Sequence, residues 1–229
     1  MRITRRTLAL TAAVSLLALA LSGCFIDQLR QKYAVDLVVE NQTWDEAGVS
    51  NVEQALDLLP RHVVNRLGNR YYGRLRILQN PGGISSDGWQ PYENGANYYS
   101  NAHDRNELVL VPNQRTFTIL HEIGHAYQMR ETPSDRYAWV FFQTEMREFM
   151  EATGWQLLSS DAEVAAARSV RELRFTYSGV PVWDGLSNDD PVEDYANSFA
   201  QYFLDANQLR NLSPERYQFI HDHVATDSR

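Results

Sequence analysis

The chain has 229 residues, of which 44% are hydrophobic, and 29 acidic against 21 basic residues give a formal net charge of −8 at pH 7. This acidity argues against a nucleic-acid-binding protein, which needs a basic face, and against adhesion to anionic lipid by charge alone. The single cysteine excludes an internal disulfide, and the length suits one domain with its own hydrophobic core.

The first 24 residues have the pattern of an export signal. Three arginines within the first six residues precede the apolar run Leu8–Leu21, which is too short for a comfortable membrane span. The run ends in Leu21-Ser22-Gly23-Cys24, which resembles the bacterial lipobox, where the peptide is cut before a cysteine that becomes lipidated. We therefore expect a signal peptide over 1–23, then a lipidated Cys24 and a tether over 24–34. A plain secretory signal peptide is the alternative.

The next part of the chain predicts short strands separated by a helix and a loop. Val35–Glu40 predicts a first strand, and a capping box that begins at Ser50 predicts a helix over 50–67. Alternating apolar residues predict a strand over Arg74–Gln79, whereas a composition rich in Gly, Pro, Asn and Ser predicts a loop over Pro81–Tyr99. Glu107–Val111 predicts one more short strand.

The second half of the chain predicts helices almost throughout. Capping residues or prolines mark most of the predicted helix starts, as helix N-termini favour them. The predicted helices are Gln114–Arg130 behind Asn113, a long helix from Thr132-Pro133 to Thr153, a helix over Asp161–Phe175, one that opens at Asp190-Pro191 and one that opens at Ser213-Pro214. A small N-terminal sheet followed by helices is an α+β fold, and we expect one domain over residues 35–229.

The pentapeptide His121-Glu122-Ile123-Gly124-His125 lies within the predicted helix 114–130 and indicates metal chemistry. Residues four apart on a helix lie about 40° apart around its axis, so both imidazoles can bind one tetrahedral metal ion. Glu122 lies one step round the helix, within reach of a metal-bound water. This is the HExxH arrangement of zinc hydrolases, with two histidine ligands and a carboxylate base. The alternative is a buried helix with two hydrogen-bonded core histidines, a costly core without a metal.

A catalytic zinc ion needs a third protein ligand, and two acidic positions are the main candidates. Glu131 follows His125 by six residues, but an uninterrupted helix would turn it about 240° away. Glu193 is favoured, because small residues such as Ala196 share its helical face and allow close approach to the HExxH helix. Asp194 is the remaining candidate, and Glu193 can alternatively act only as a capping-box residue.

Three segments together resemble the anthrax lethal factor-like family of zinc metallopeptidases. They are the HExxH motif, the run Glu193-Asp194-Tyr195-Ala196 with Phe199, and the closing run from Arg216 to His223. The resemblance covers residues 95–225 in rough terms. It implies a zincin-like gluzincin domain with one zinc ion per chain, in which His121, His125 and Glu193 bind the metal and Glu122 is the catalytic base.

The same resemblance implies a small mixed sheet whose edge strand lies next to the HExxH helix and pairs with an extended substrate. Glu107–Val111 is expected to fill that place, by addition of a peptide strand to the sheet. An ordinary edge strand without a substrate role is the alternative.

Two departures from the family concern residues beside the expected metal site. The family carries a tyrosine shortly before its third ligand, whose hydroxyl helps to stabilise the oxyanion. Here Tyr177 lies 16 residues before Glu193, and we expect it to fold back into that position. Asn197 stands where the family tends to have glutamate. Its amide oxygen can still orient a ligating histidine, but it strengthens the histidine less than a carboxylate does.

Together these residues predict a zinc-dependent endopeptidase anchored to the cell envelope, with protein or peptide substrates and no nucleic-acid partner. Glu122 would take a proton from a zinc-bound water that attacks the peptide carbonyl, and would return it to the leaving amine. One alternative is a non-catalytic zincin-fold lipoprotein that acts as a binding or assembly module. Another is a cell-wall peptide amidase, which would be favoured by basic residues or a glycan-binding repeat.

The lipobox predicts that the mature protein partitions with membranes and incorporates a fatty-acid analogue. Cys24→Ser should abolish the labelling, because the acyl chains are attached through the cysteine and supply the membrane affinity. Phe25, rather than an aspartate, after the cysteine predicts the outer membrane in a cell that has one. Labelling of cells that express either form is the measurement, and label that survives the substitution would rule out the lipobox.

Overall fold

Helices carry most of the described part of the chain, and one small sheet lies towards its N-terminal end. The computed structural model describes residues 27–33, 35–38, 44, 46–79, 96–99, 106–110, 114–179, 182 and 190–226. The named elements are β1 (Val35–Val38), α1 (Glu46–Asp57), α2 (Arg61–Asn65), β2 (Leu75–Gln79), β3 (Ala96–Tyr99), β4 (Glu107–Leu110), α3 (Thr116–Gln128), α4 (Thr144–Thr153), β5 (Trp155–Leu157), α5 (Asp161–Ala166), β6 (Phe175–Tyr177), α6 (Pro191–Leu212) and α7 (Pro214–Ile220). This mixture of helices and small sheets agrees with the predicted α+β class.

The main sheet is mixed and has the strand order β1-β2-β4-β3. β1 pairs with β2 and β2 pairs with β4 in parallel, whereas β3 pairs with β4 antiparallel. α1 and α2 lie in the connection between β1 and β2, since parallel neighbours need a crossover of this kind. The buried side chains of β2 and β4, among them Ile77 and Leu108, belong to the hydrophobic core.

The prediction that the strand over 107–111 forms the edge of the sheet is wrong. β4 lies between β2 and β3, and the edge strand beside α3 is β3. The apolar β4 is paired along both of its sides, which satisfies its backbone groups in the core. β3 was missed because its Ala-Asn-Tyr-Tyr sequence lies at the end of the stretch 81–99, whose composition favours turns.

The helix predicted over 50–67 is two helices that begin earlier and are interrupted. α1 starts at Glu46, and Ser50 lies in its interior, where its hydroxyl accepts a hydrogen bond from Gln54 Nε2 at 3.3 Å. The interruption falls at Pro60, which occupies the N-cap position of α2. Proline lacks a backbone N–H and disfavours helical backbone at the residue before it, so a continuous helix cannot pass through this point.

Two other predicted helices are also shorter than expected. The region 132–153 contains a 3-10 segment, Ser134–Phe142, followed by α4, and Gly154 ends α4 in the left-handed conformation with φ of 89°. The helix predicted to reach Phe175 ends at Ala166, and Phe175 lies in β6, which pairs antiparallel with β5. Trp155 of β5 packs its ring against Tyr177 of β6, so pairing of aromatic strands takes precedence over helix formation there.

The last two helices begin where the sequence predicted. The Asp190 side chain accepts hydrogen bonds from the backbone N–H groups of Val192 and Glu193, at 2.8 and 3.0 Å, and Pro191 is the first residue of α6. Ser213 caps α7 in the same manner through the N–H of Arg216. The Asp190 cap marks the start of α6, which carries the favoured third ligand.

α3 is the central helix of the described domain. It contacts α1, β3, β4 and α6, and α6 in turn contacts α7. Residues 27–32 are helical, and Leu29 and Tyr33 are buried in the same core. The packed domain therefore begins inside the range 24–34 that was predicted as a tether. In the described residues, no helix combines the length and apolarity needed to cross a bilayer.

Gly124 lets α3 and α6 approach each other closely. A Cβ atom added at Gly124 would lie 3.1 Å from Ala196 Cα and 3.3 Å from the Ala196 carbonyl oxygen. The sequence had suggested that small residues on the α6 side permit this approach, and Ala196 is fully buried at the contact. The helix that carries both histidines and the helix that carries Glu193 therefore meet with almost no side chain between them.

Gly124→Ala tests this close approach. Helix propensity alone would make the change stabilising by about 1 kcal/mol. We expect instead a loss of about 1–3 kcal/mol, because the added methyl group meets the backbone of α6 and forces the helices apart. The free energy of unfolding from denaturant titration is the measurement. Gly68→Ala is the matched control, since its Cβ would make only an ordinary 3.5 Å contact with the Gly73 carbonyl oxygen. Equal stability of wild type and Gly124→Ala would contradict the packing.

Candidate metal centre

α3 and α6 bring three side chains with metal-binding atoms to one point. His121 and His125 lie one helical turn apart on α3, and Glu193 lies in the first turn of α6. The His125 and Glu122 residues are buried, with 6% and 7% of their surface exposed, whereas Glu193 is half-buried. Among the described residues, His121, His125 and Glu193 form the group of histidine and acidic side chains that can hold a metal ion.

The donor atoms of this group are close enough to share one ion. The two Nε2 atoms of His121 and His125 lie 3.1 Å apart, and the Glu193 carboxylate oxygens lie 3.3 Å and 3.4 Å from them. Zinc bonds of about 2.0–2.2 Å to nitrogen and oxygen separate tetrahedral ligand atoms by roughly 3.3–3.6 Å. The residues present therefore fit a tetrahedral ion with three protein ligands and a fourth position left for water or substrate.

A neutral amide oxygen lies beside the Nδ1 atom of each histidine. Asn197 Oδ1 lies 2.9 Å from His121 Nδ1, and Gln128 Oε1 lies 3.3 Å from His125 Nδ1. An amide oxygen only accepts hydrogen bonds, so each Nδ1 carries the proton and each Nε2 presents its lone pair to the metal position. Asn197 thus contacts the histidine as the sequence predicted.

The charges at the site are strongly coupled. Burial acts to lower the pKa of His125, but the Glu193 carboxylate and its hydrogen bond, with a smaller effect of Glu122, raise it to about 9. Burial acts to raise the pKa of Glu193, yet the positive charge of His125 and the hydrogen bonds from both histidines hold it far below its ordinary value. Without a metal, a proton on His125 therefore compensates the carboxylate, and a bound cation takes the place of that proton.

The other two candidates for the third ligand lie elsewhere. Glu131 is exposed and forms a surface ion pair with Arg70, with 3.8 Å between Arg70 Nη1 and Glu131 Oε2. Asp194 is fully buried and accepts hydrogen bonds from Arg216 Nη2 at 2.6 Å and from Trp155 Nε1 at 2.8 Å. Adjacent residues on a helix point about 100° apart, so Asp194 faces this cluster while Glu193 faces the histidines.

Tyr177 lies in β6 beside the same cluster. Its hydroxyl accepts a hydrogen bond from Arg216 Nη2 at 2.9 Å, and its ring packs against Trp155. Donation from Tyr177 to an oxyanion stays a prediction, and most of the insert over 180–189 lies outside the described residues.

Two features of the site were not predicted from the sequence. Gln128 contacts His125 and was not among the predicted site residues. Its signal was available, because it is a polar residue three positions after His125 and therefore on the same helical face. The pairing of Asp194 with Arg216 had no local signal, since 22 residues separate the two.

Comparisons with known proteins identify no family for this chain. No protein-family model matches the chain, and a search of curated proteins finds no match either. The signal peptide over 1–23 and the lipidation site Cys24 lie outside the described residues. The site geometry therefore carries the functional argument.

We expect the purified domain to contain about one zinc ion per chain, because catalytic zinc sites use three protein ligands. His125→Ala should abolish zinc binding, and Glu193→Gln should weaken it, since a neutral amide is a poorer ligand for the cation. Glu131→Gln is the control and should leave zinc content unchanged. Elemental analysis of protein purified without added metal is the measurement. Full zinc content in His125→Ala, or loss of zinc in Glu131→Gln alone, would refute the assigned ligands.

Proposed function

We propose that this protein is a zinc-dependent endopeptidase of the anthrax lethal factor-like type. The observation that carries the proposal is the convergence of His121 Nε2, His125 Nε2 and the Glu193 carboxylate within 3.1–3.4 Å, with Glu122 next to the first histidine. Two imidazoles and one carboxylate with an open fourth position form the ligand set of catalytic rather than structural zinc sites.

The donor atoms favour zinc over the other common divalent ions. Magnesium and calcium prefer sets made entirely of oxygen ligands, whereas imidazole nitrogen suits zinc and its transition-metal neighbours. Both histidines present Nε2 to the ion because asparagine and glutamine side chains accept from their Nδ1 protons. These hydrogen bonds orient both rings so that an ion that displaces the extra proton of His125 would meet an Nε2 lone pair on each histidine.

Zinc in such a site lowers the pKa of water and polarises a carbonyl group. Glu122 is the proton carrier in the proposal, because it lies one residue from His121 on α3 and is almost fully buried. Its carboxylate accepts a proton from water as the peptide carbonyl is attacked, and it then delivers that proton to the leaving amine. Glu193 keeps its negative charge throughout, since its pKa lies far below neutrality.

The edge of the sheet supports a peptide as the substrate. β3 is antiparallel to β4 and contacts α3, the helix that carries both histidines. Among the described strands β3 pairs only with β4, so its outer side is the place where a further extended chain could pair with the sheet. In the proposal, the substrate backbone pairs with β3 and crosses the metal site. β3 therefore replaces Glu107–Val111 as the proposed substrate-binding strand.

Tyr177 is the proposed donor to the oxyanion. Arg216 donates a hydrogen bond to the phenol oxygen at 2.9 Å and so fixes the position of the hydroxyl group. Arg216 is itself held by Asp194, so the tyrosine is tied to the first turn of α6, where Glu193 lies. In the same proposal, the lipid on Cys24 keeps the domain at the envelope, close to extracytoplasmic substrates.

Glu122→Gln is the decisive variant for the enzymatic proposal. It keeps the shape of the side chain and removes the proton acceptor, so zinc content should stay at the wild-type level. General-base catalysis contributes about 10²–10⁴-fold, and cleavage of a peptide library should fall at least a hundredfold. Turnover of wild type and variant under matched zinc loading is the measurement, with cleavage positions read by mass spectrometry.

Tyr177→Phe serves as the second arm of this experiment. Loss of one oxyanion donor costs about 10²–10³-fold in turnover, and the phenylalanine retains the packing on Trp155. Equal residual cleavage by wild type and Glu122→Gln would indicate a contaminating protease. That result would favour a metal-binding envelope protein without peptidase activity.

A further inference from the structure

Gln128, the last residue of α3, bridges the two helices of the metal site. Its Oε1 lies 3.3 Å from His125 Nδ1, and its Nε2 donates to the Val192 carbonyl at 3.3 Å and contacts Met146 Sδ at 3.6 Å. Val192 directly precedes Glu193 in α6. Only 3% of the Gln128 surface is exposed, so water competes little for these hydrogen bonds. One side chain therefore contacts a histidine of the site and the residue before its carboxylate.

The hydrogen-bonding groups of Val192, Gln128 and His125 allow only one assignment of donors and acceptors. The Val192 carbonyl can only accept a hydrogen bond, so the amide NH2 of Gln128 must face it. The amide oxygen must then face His125, and a hydrogen bond there requires the proton on Nδ1. With Nδ1 protonated and engaged, Nε2 of the neutral ring is left with a lone pair, on the side where His121 and Glu193 converge.

We propose that Gln128 is a positioning residue of the metal site, whose side-chain oxygen fixes the tautomer and orientation of His125, while the Val192 carbonyl determines which end of the amide faces the histidine. The inference rests on the proposed function only in that a metal ion binds at His121, His125 and Glu193. It also couples the two helices, because the same side chain holds His125 on α3 and the peptide unit before Glu193 on α6. Rotation of either helix breaks one of the two hydrogen bonds.

Three variants separate this role from simple packing. Gln128→Met keeps the approximate volume and removes both hydrogen bonds. Gln128→Glu keeps an acceptor for His125 Nδ1–H and loses only the donor to Val192. Gln201→Met is the matched control, because Gln201 is also a buried glutamine on these helices and its side chain donates to Gln208 at 2.8 Å rather than to a proposed ligand residue.

Zinc affinity, measured by competition with a chelator, is the first readout. Loss of a residue that orients a metal-bound histidine costs about 10–100-fold in metal affinity, and we expect Gln128→Met to fall in that range. Gln128→Glu should recover most of the affinity, because its carboxylate accepts the Nδ1 proton. Gln201→Met should bind zinc as wild type does. Thermal unfolding of the four metal-free proteins records any change in stability separately.

Two spectroscopic readouts report the position of His125 itself. The visible absorption bands of the cobalt-substituted protein depend on ligand geometry, and they should change in Gln128→Met but not in Gln201→Met. In nuclear magnetic resonance spectra of the zinc-loaded protein, the His125 Nδ1–H proton should exchange slowly with water in wild type and in Gln128→Glu. It should exchange faster in Gln128→Met.

Failure of the inference about Gln128 can be distinguished from failure of the enzymatic proposal. Metal binding with normal affinity but without peptidase activity would refute the proposed enzyme and leave the role of Gln128 supported by the expected affinities. Wild-type zinc affinity and cobalt spectrum in Gln128→Met would overturn the inference. Gln128→Glu as weak as Gln128→Met would also overturn it, since a role in packing alone would then suffice. Absence of metal binding by wild type would overturn both proposals.

Discussion

The close packing of α3 against α6 is the constraint on which the candidate site depends. The histidines belong to one helix and the carboxylate to the other, so no local property of either helix can assemble the three donors. A Cβ atom at Gly124 would already lie 3.1 Å from Ala196 Cα, and this short approach brings Glu193 to within 3.4 Å of both Nε2 atoms. A larger residue at Gly124 or Ala196 would separate the donors before it affected the fold class.

Rotation of α6 matters as much as its distance, because Glu193 and Asp194 are adjacent carboxylates with different partners. Asp194 is paired with Arg216 in the interior, and loss of one partner of a buried pair costs about 3–5 kcal/mol. Asp190 caps the same turn of the helix. The buried pair and the cap therefore hold α6 at the rotation that directs Glu193 to the histidines. Replacement of both Asp194 and Arg216 by apolar residues would test what the pair contributes to the free energy of unfolding. It would also remove the constraint on the rotation of α6.

The features that could be predicted from the sequence are those set by residues close together in the chain. The spacing of His121 and His125, the cap at Asp190 and the proline starts of α6 and α7 are set within a few residues, and the structure agrees with them. Glu193, favoured as third ligand because small residues beside it signalled a close helix contact, is the acidic residue that lies with His121 and His125 in a group that could hold a metal ion. β3 and the split of the predicted helix 50–67 were missed, since strand pairing and the interruption at Pro60 override local propensity.

The neutral amides of Asn197 and Gln128 affect the net charge of the candidate metal site. A divalent ion bound by two neutral histidines and Glu193 would keep one positive charge, and Glu122, which acts on His125, lies nearby. Carboxylates in place of both amides would add two negative charges to a buried region and would make the histidines more basic ligands. Amide oxygens fix the same Nδ1 protons without that charge, at 2.9 and 3.3 Å. Because a less neutralised ion would withdraw more electron density from what it binds, neutral amides beside the histidines would favour polarisation of a ligand over maximal metal affinity.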